Sequence, residues 1–162
     1  MMKDMNKLTP SSPQPLSFAP DTHVRAYKLA RDAGDVVIYA TATAGELEGA
    51  ERQYLGHWHE AAVADGAAQA APVFVHDGDR AEAEAHELPV SGGFTLRHEF
   101  EDDLEAIPIP GHTPGSTAYL WHDGERRYLF TADSVYLGEG GEWRGALLDS
   151  SDRDAYLSLI HI

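Results

Sequence analysis

Ile107 to Ser116 reads IPIPGHTPGS and sets one histidine in a glycine-flanked turn straight after a short apolar run. Gly111 removes a Cβ where the chain must bend, Pro114 and Gly115 form a tight turn, and Ser116 to Trp121 (STAYLW) reads as the next strand. His112 is therefore expected on a strand-to-strand loop. A histidine held there is a candidate metal ligand or catalytic base, although most loop histidines are merely solvated.

Two other stretches supply context. Gln53 to Ala62 reads QYLGHWHEAA, and Tyr128 to Val135 reads YLFTADSV. On an extended backbone His57 and His59 point the same way and Trp58 the opposite way, a spacing that suits two imidazoles on one ion. The HxH pattern alone is weakly specific, and it gains weight from His112, 53 positions after His59, and Asp133, 21 after His112.

PGHTPGS resembles the third motif of the metallo-β-lactamase fold family, which includes glyoxalase II. YLFTADSV is similar to the family's later strand ending in a metal-bridging aspartate, which places that role on Asp133. QYLGHWHEAA stands where the family carries HxHxDH, with His57 and His59 on the leading histidines. There the pattern departs: Ala61 replaces the family's Asp, and Ala62 its second-metal His. The resemblance runs from about Val24 to Leu159 and implies an α/β (α+β) fold, an αββα four-layer sandwich with the metal at one edge between the sheets. Periodicity by itself says only mixed α and β. Family members usually continue to a last histidine ligand, so the C-terminal part is expected to be incomplete. The closing SLIHI gives His161 little weight as that ligand, and uncovered apolar faces are expected.

The 162 residues, 43% hydrophobic and without a transmembrane run, are read as one domain at 21–162 behind a flexible N-terminal arm at 1–20. That arm is polar and rich in Pro and Ser without the apolar core of a secretory signal, so a cytoplasmic protein is expected. A net charge of -15 argues against nucleic acid or anionic membrane as a partner and leaves a small-molecule substrate. The absence of cysteine excludes disulfides and thiolate metal sites.

The remaining elements follow from local pattern. Val24 to Leu29 and Val36 to Ala40 flank the turn cluster DAGD and predict a hairpin. Gly45 to Gln53 has helical composition, with Tyr54 and Leu55 as the tail of a strand, and Glu60 to Ala71 predicts a short helix. Pro72 to His76 reads as a strand and Asp77 to His86 as an exposed charged helix. Thr95 to Phe100 and Leu104 to Pro110 predict strands around an acidic turn at Asp102 and Asp103. Tyr136 to Trp143 reads as a loop, and Asp149 to Leu159 as a capped final helix. His23, His76, His86, His98 and His122 match no motif and are read as surface or structural.

The family's first metal is held by the HxH pair and the GHT histidine, and that set is complete here. The resemblance thus implies a mononuclear hydrolase that uses metal-bound water on an ester, thioester, lactone or amide. Zinc on His57, His59 and His112 suits such chemistry, with Asp133 orienting the water or ligating. Glu60 alternates away from the histidines and is not assigned as a base. Two other readings stay open. His57, His112 and Asp133 form a two-His-one-carboxylate set for Fe(II), as in the sulfur dioxygenases resembling glyoxalase II. Alternatively, Ala61 and Ala62 mark a non-catalytic binding relative.

Overall fold

The computed structural model describes residues 7–64, 66 and 68–159. Fourteen strands occur in it: β1 (Leu8–Pro10), β2 (Gln14–Leu16), β3 (Ala19–Val24), β4 (Tyr27–Leu29), β5 (Val36–Ile38), β6 (Arg52–Tyr54), β7 (Val73–His76), β8 (Val90–Phe94), β9 (His98–Phe100), β10 (Leu104–Pro108), β11 (Thr117–His122), β12 (Arg127–Phe130), β13 (Tyr136–Leu137) and β14 (Trp143–Arg144). The helices are α1 (His59–Ala64), α2 (Asp77–Ala85) and α3 (Arg153–Ser158).

Two sheets form the body. One runs β1-β4-β5-β6-β7-β8 and the other β12-β11-β10-β9. The second sheet is antiparallel throughout and is made by chain neighbours. In the first, β1, β4 and β5 pair antiparallel, then β6, β7 and β8 run parallel, which requires crossovers that carry helices. Alternation drives the packing. Leu29, Val36, Ile38 and Tyr54 of the first sheet meet Leu104, Ala106, Tyr119, Trp121 and Phe130 of the second in one buried cluster. On the outer face of the first sheet, Leu55, Val73, Val75 and Leu88 pack under Ala61 and Ala64 of α1 and Ala83 of α2. Helix α3 meets the turn between β10 and β11, where Tyr156 sits against Gly111. This is the expected mixed α/β sandwich.

Several local expectations are corrected. The arm does not stay loose over its described part: β1 pairs with β4, and buried Ser11 accepts the Ala26 amide through Oγ. Its polar side chains supply the bonds, so few apolar residues were needed. Gly45 to Gln53 holds only a short 3-10 turn and then β6, because Arg52 to Tyr54 are claimed by the parallel ladders on both sides. Val90 to Phe94 is a strand that the glycines at 92 and 93 concealed; a Cβ on Gly92 would run into the Phe74 ring. Tyr136 to Trp143 forms a two-stranded hairpin rather than a plain loop. Leu129, Leu137 and Trp143 are exposed. No helix among the described residues is long and apolar enough to cross a membrane. His161 lies outside the described residues.

Candidate metal centre

The sequence candidates converge at one edge of the sandwich, beyond the ends of β6, β10 and β12. His57 lies just past β6, His59 opens α1, His112 sits in the β10–β11 turn, and Asp133 lies in a 3-10 turn after β12. The three imidazole rings stand nearly perpendicular, with centroids 4.8 to 5.0 Å apart. One nitrogen from each lies within 4.8 Å of the others. Asp133 Oδ2 is 3.2 Å from His57 Nε2 and 3.6 Å from His112 Nε2. Half of its side chain is open to solvent, while His57 and His112 are buried.

The extended geometry expected for the HxH pair is not what brings these rings together. His59 begins a helix, and the rings meet because the chain turns at Trp58. The same turn brings Glu60 back. Its buried carboxylate accepts the Gly56 amide at 2.7 Å and the His57 amide at 3.2 Å through Oε1, and the Ala40 amide at 2.9 Å through Oε2. Oε1 also lies 3.3 Å from His57 Nδ1. Glu60 is thus close to the histidines after all. Its oxygens are committed to three amides, so it braces the loop.

The Gly111 backbone, at φ +147°, is in a region that favours glycine, and a Cβ there would meet Tyr156 Cβ at 2.5 Å. The turn carries His112 to a point where its Nδ1–H donates to the Ala146 carbonyl at 2.6 Å. That bond fixes the tautomer and leaves the Nε2 lone pair facing His59 Nδ1 at 3.0 Å. Asp133 is fixed by strain. Ala132 adopts φ +48° and donates its amide to the hydroxyl of the partly buried Tyr39 at 2.7 Å, and Tyr39 itself has φ +73°. Non-glycine residues in that region persist only where their surroundings over-determine them, and such residues cluster at functional sites.

The charges fit a cation. Burial, then the His57 and His112 imidazoles, push His59 down to about 4. Burial and His57 lower His112 as well, so both rings are neutral, the form that ligates. Burial alone would lower His57, but the Asp133 and Glu60 carboxylates outweigh it and carry it up to about 10. Burial raises the Asp133 carboxyl, yet the neighbouring imidazoles, His57 first, bring it below its ordinary value. Both His57 nitrogens are buried without a well-formed hydrogen bond. Their near polar neighbours are carboxylate oxygens, Glu60 Oε1 at 3.3 Å from Nδ1 and Asp133 Oδ2 at 3.2 Å from Nε2. Three imidazoles whose nitrogens converge, with a carboxylate at their open side, suit one ion, which His57 would bind by releasing the proton that its carboxylate neighbours favour.

Ala61 belongs to the apolar cluster under α1, and Ala62 is exposed, so neither stands ready to serve a second ion. His76 caps α2 by accepting the Gly78 amide, and His86 stacks on Trp58 at 5.2 Å. Asp79 is the residue that pattern reading missed. Read as part of an exposed helix, it is fully buried and bonded to both histidine loops. Its signal was its place just past a strand end, on the same edge as His57.

The sequence model of the metallo-beta-lactamase superfamily matches residues 23–162. No curated protein sequence matches the chain. Among solved structures, a variant of AiiA from B. thuringiensis with N-decanoyl-L-homoserine bound at its active site shares 16% identity and a TM-score of 0.68. That match covers 96% of this chain and 85% of that one. An N-acyl homoserine lactone hydrolase with its product N-hexanoyl-L-homoserine at the catalytic metal centre has 16% identity and a TM-score of 0.65, with the same coverage. An archaeal superfamily protein from Sulfolobus tokodaii has 15% identity and a TM-score of 0.66, over 95% of this chain and 73% of that one. With the matched region spanning all four residues of the centre, the chain belongs to the metallo-beta-lactamase superfamily.

Proposed function

We propose that the chain is a mononuclear metal-dependent hydrolase of a small carbonyl substrate, an ester, thioester, lactone or amide. His57, His59 and His112 would hold one zinc ion, with Asp133 beside it. The observation that supports this best is the convergence of one nitrogen from each of the three imidazoles to within 4.8 Å of the others, with the Asp133 carboxylate beside them. Zinc bound by three imidazoles polarises a carbonyl and lowers the pKa of water to about 7. The chain's own residues supply the frame. Ala146 orients His112, and Glu60 holds the His57 loop in place. Asp133 is the half-open carboxylate placed to orient or accept a proton at the exposed side. Leu147 and Leu148, next in the chain to Ala146 and exposed, offer apolar surface to the body of a substrate. The homoserine compounds bound by two similar structures make lactones the first substrates to assay.

Protein purified without added metal and analysed for its elements is expected to carry about one zinc per chain, and chelation or His112→Ala should abolish hydrolysis across a lactone, ester and thioester panel. A protein that retains no ion after dialysis against micromolar zinc would overturn this reading in favour of a non-catalytic binding relative. The iron reading has its own support, since Asp133 Oδ2 stands 3.2 and 3.6 Å from two imidazole nitrogens, a two-His-one-carboxylate set. Iron in the elemental analysis, with oxygen uptake on a persulfide, would select it.

A further inference from the structure

Helix α2 begins directly after β7, and its third residue, Asp79, is completely buried. The carboxylate reaches both histidine-bearing loops. Oδ2 accepts the Trp58 amide at 3.0 Å and the Thr113 hydroxyl at 2.6 Å, and Oδ1 accepts the Gly115 amide at 2.7 Å. Trp58 lies between His57 and His59 in the chain, and Thr113 follows His112. One side chain therefore holds the chain neighbour of every imidazole in the cluster. The approach is tight from both partners: a Cβ on Gly115 would meet Asp79 Cγ at 2.6 Å, and one on Gly78 would meet the Pro114 carbonyl carbon at 3.3 Å.

We propose that Asp79 is a positioning residue that sets the separation of the His57–His59 loop from the His112 turn, and with it the ion affinity of the three imidazoles. This rests on the reading of those histidines as ligands. A buried carboxylate is tolerated only when its lone pairs are used, and charge-assisted bonds to three donors are the strong kind. Those bonds join two segments more than fifty residues apart in sequence, so the distance between the loops depends on them. A neutral amide at the same place keeps one acceptor oxygen and, in either orientation, turns its NH2 group toward a backbone amide, that of Trp58 or of Gly115, which cannot accept it. The two loops would then move apart by tenths of an ångström, enough to loosen an ion held from both.

The test compares zinc affinity by calorimetry, and the visible spectrum of the cobalt(II) form, in wild type, Asp79→Asn, Thr113→Val and Thr113→Ser. All are measured at a temperature where circular dichroism shows the metal-free proteins folded. Supporting outcomes are zinc binding weakened ~10–100-fold in Asp79→Asn and ~10-fold in Thr113→Val, with a shifted cobalt spectrum, and near wild-type affinity in Thr113→Ser, which keeps the hydroxyl. Should Asp79→Asn fail to fold, the Thr113 pair carries the comparison. A wild type that binds zinc while the folded variants bind it equally well would overturn the positioning role and leave the ligand reading intact. A wild type that binds neither zinc nor cobalt would overturn the ligand reading, and this role with it.

Discussion

The turn that carries His112 closes its backbone on itself, with Asp79, Ala146, Ser151 and Asp152 bonding to it from outside, whereas the stretch that carries His57 and His59 closes through the Glu60 side chain and through distant groups. In the first, Gly111 N–H donates to the Thr113 carbonyl, Thr113 N–H to Ser116 Oγ, and Ser116 N–H back to Thr113. In the second, the carbonyls of Leu55 and Gly56 are met by the Tyr119 hydroxyl at 2.6 Å and the Thr117 amide at 2.8 Å. Its amides go to Glu60 and Asp79, and Glu60 in turn reaches Ala40. A turn that closes locally needs few partners. A loop closed by distant groups inherits the precision of the whole sandwich and is as fragile as any of them.

The largest effect should come from the imidazoles, where the two loops act as one. His57→Ala and His112→Ala are each expected to reduce bound zinc from about one per chain to near none at micromolar free metal, because two neutral nitrogens make a poor zinc site. Equilibrium dialysis with elemental analysis reads this directly. If either variant keeps its ion, the two loops do not share a site.

Next in size is Ala61→Asp, which tests whether the first loop can be given back what the family pattern has there. Ala61 packs among Leu55, Val73 and Leu88 rather than toward the histidines, so the new carboxylate would be buried without a partner. A loss of about 3–4 kcal/mol is expected in urea unfolding, with no gain of a second ion. Two tightly held ions in this variant, or in Ala61→Asp with Ala62→His, would show that α1 can rotate in register and that the first loop is softer than described.

These contrasts explain what could be read in advance. The β10–β11 turn was legible because glycine, proline and a capping serine impose it locally, and so were the hairpin of β4 and β5 and the helix α2. Glu60 was misplaced because an alternating pattern was carried past Trp58, where the chain in fact turns into α1. Asp79 looked like one charge among many in DGDRAEAEAH; its burial depends on Trp58, Thr113 and Gly115, none of which is near it in sequence. The arm from Leu8 was missed for the same reason, since its pairing with β4 is a property of the assembled sheet. The candidate ligands that the structure brings together were thus legible from local motif, and the residues that hold their loops were not.

Glu60→Ala addresses the carboxylate that braces the first loop. Three amides, of Ala40, Gly56 and His57, would lose their acceptor inside the fold at about 1–3 kcal/mol apiece, part of it offset by no longer burying a carboxylate. A net loss of about 3 kcal/mol is expected in the metal-free protein, measured by urea unfolding.

The smallest effect belongs to Ser116→Ala, the matched change in the self-closing turn. Ser116 Oγ accepts the Thr113 amide at 2.9 Å and lies 2.9 Å from the Thr113 hydroxyl, so its removal orphans one amide. The Thr113 hydroxyl keeps Asp79 as its acceptor, and the backbone bonds from Gly111 to Thr113 and from Ile109 to Ser116 do not involve the serine side chain. A loss of about 1 kcal/mol is therefore expected, with zinc affinity changed by less than about threefold. The informative quantity is the difference between the two variants. Were Ser116→Ala to cost as much as Glu60→Ala, the turn would depend on its one serine as heavily as the first loop depends on its carboxylate, and the distinction between a backbone-closed turn and a carboxylate-braced loop would not hold for this centre.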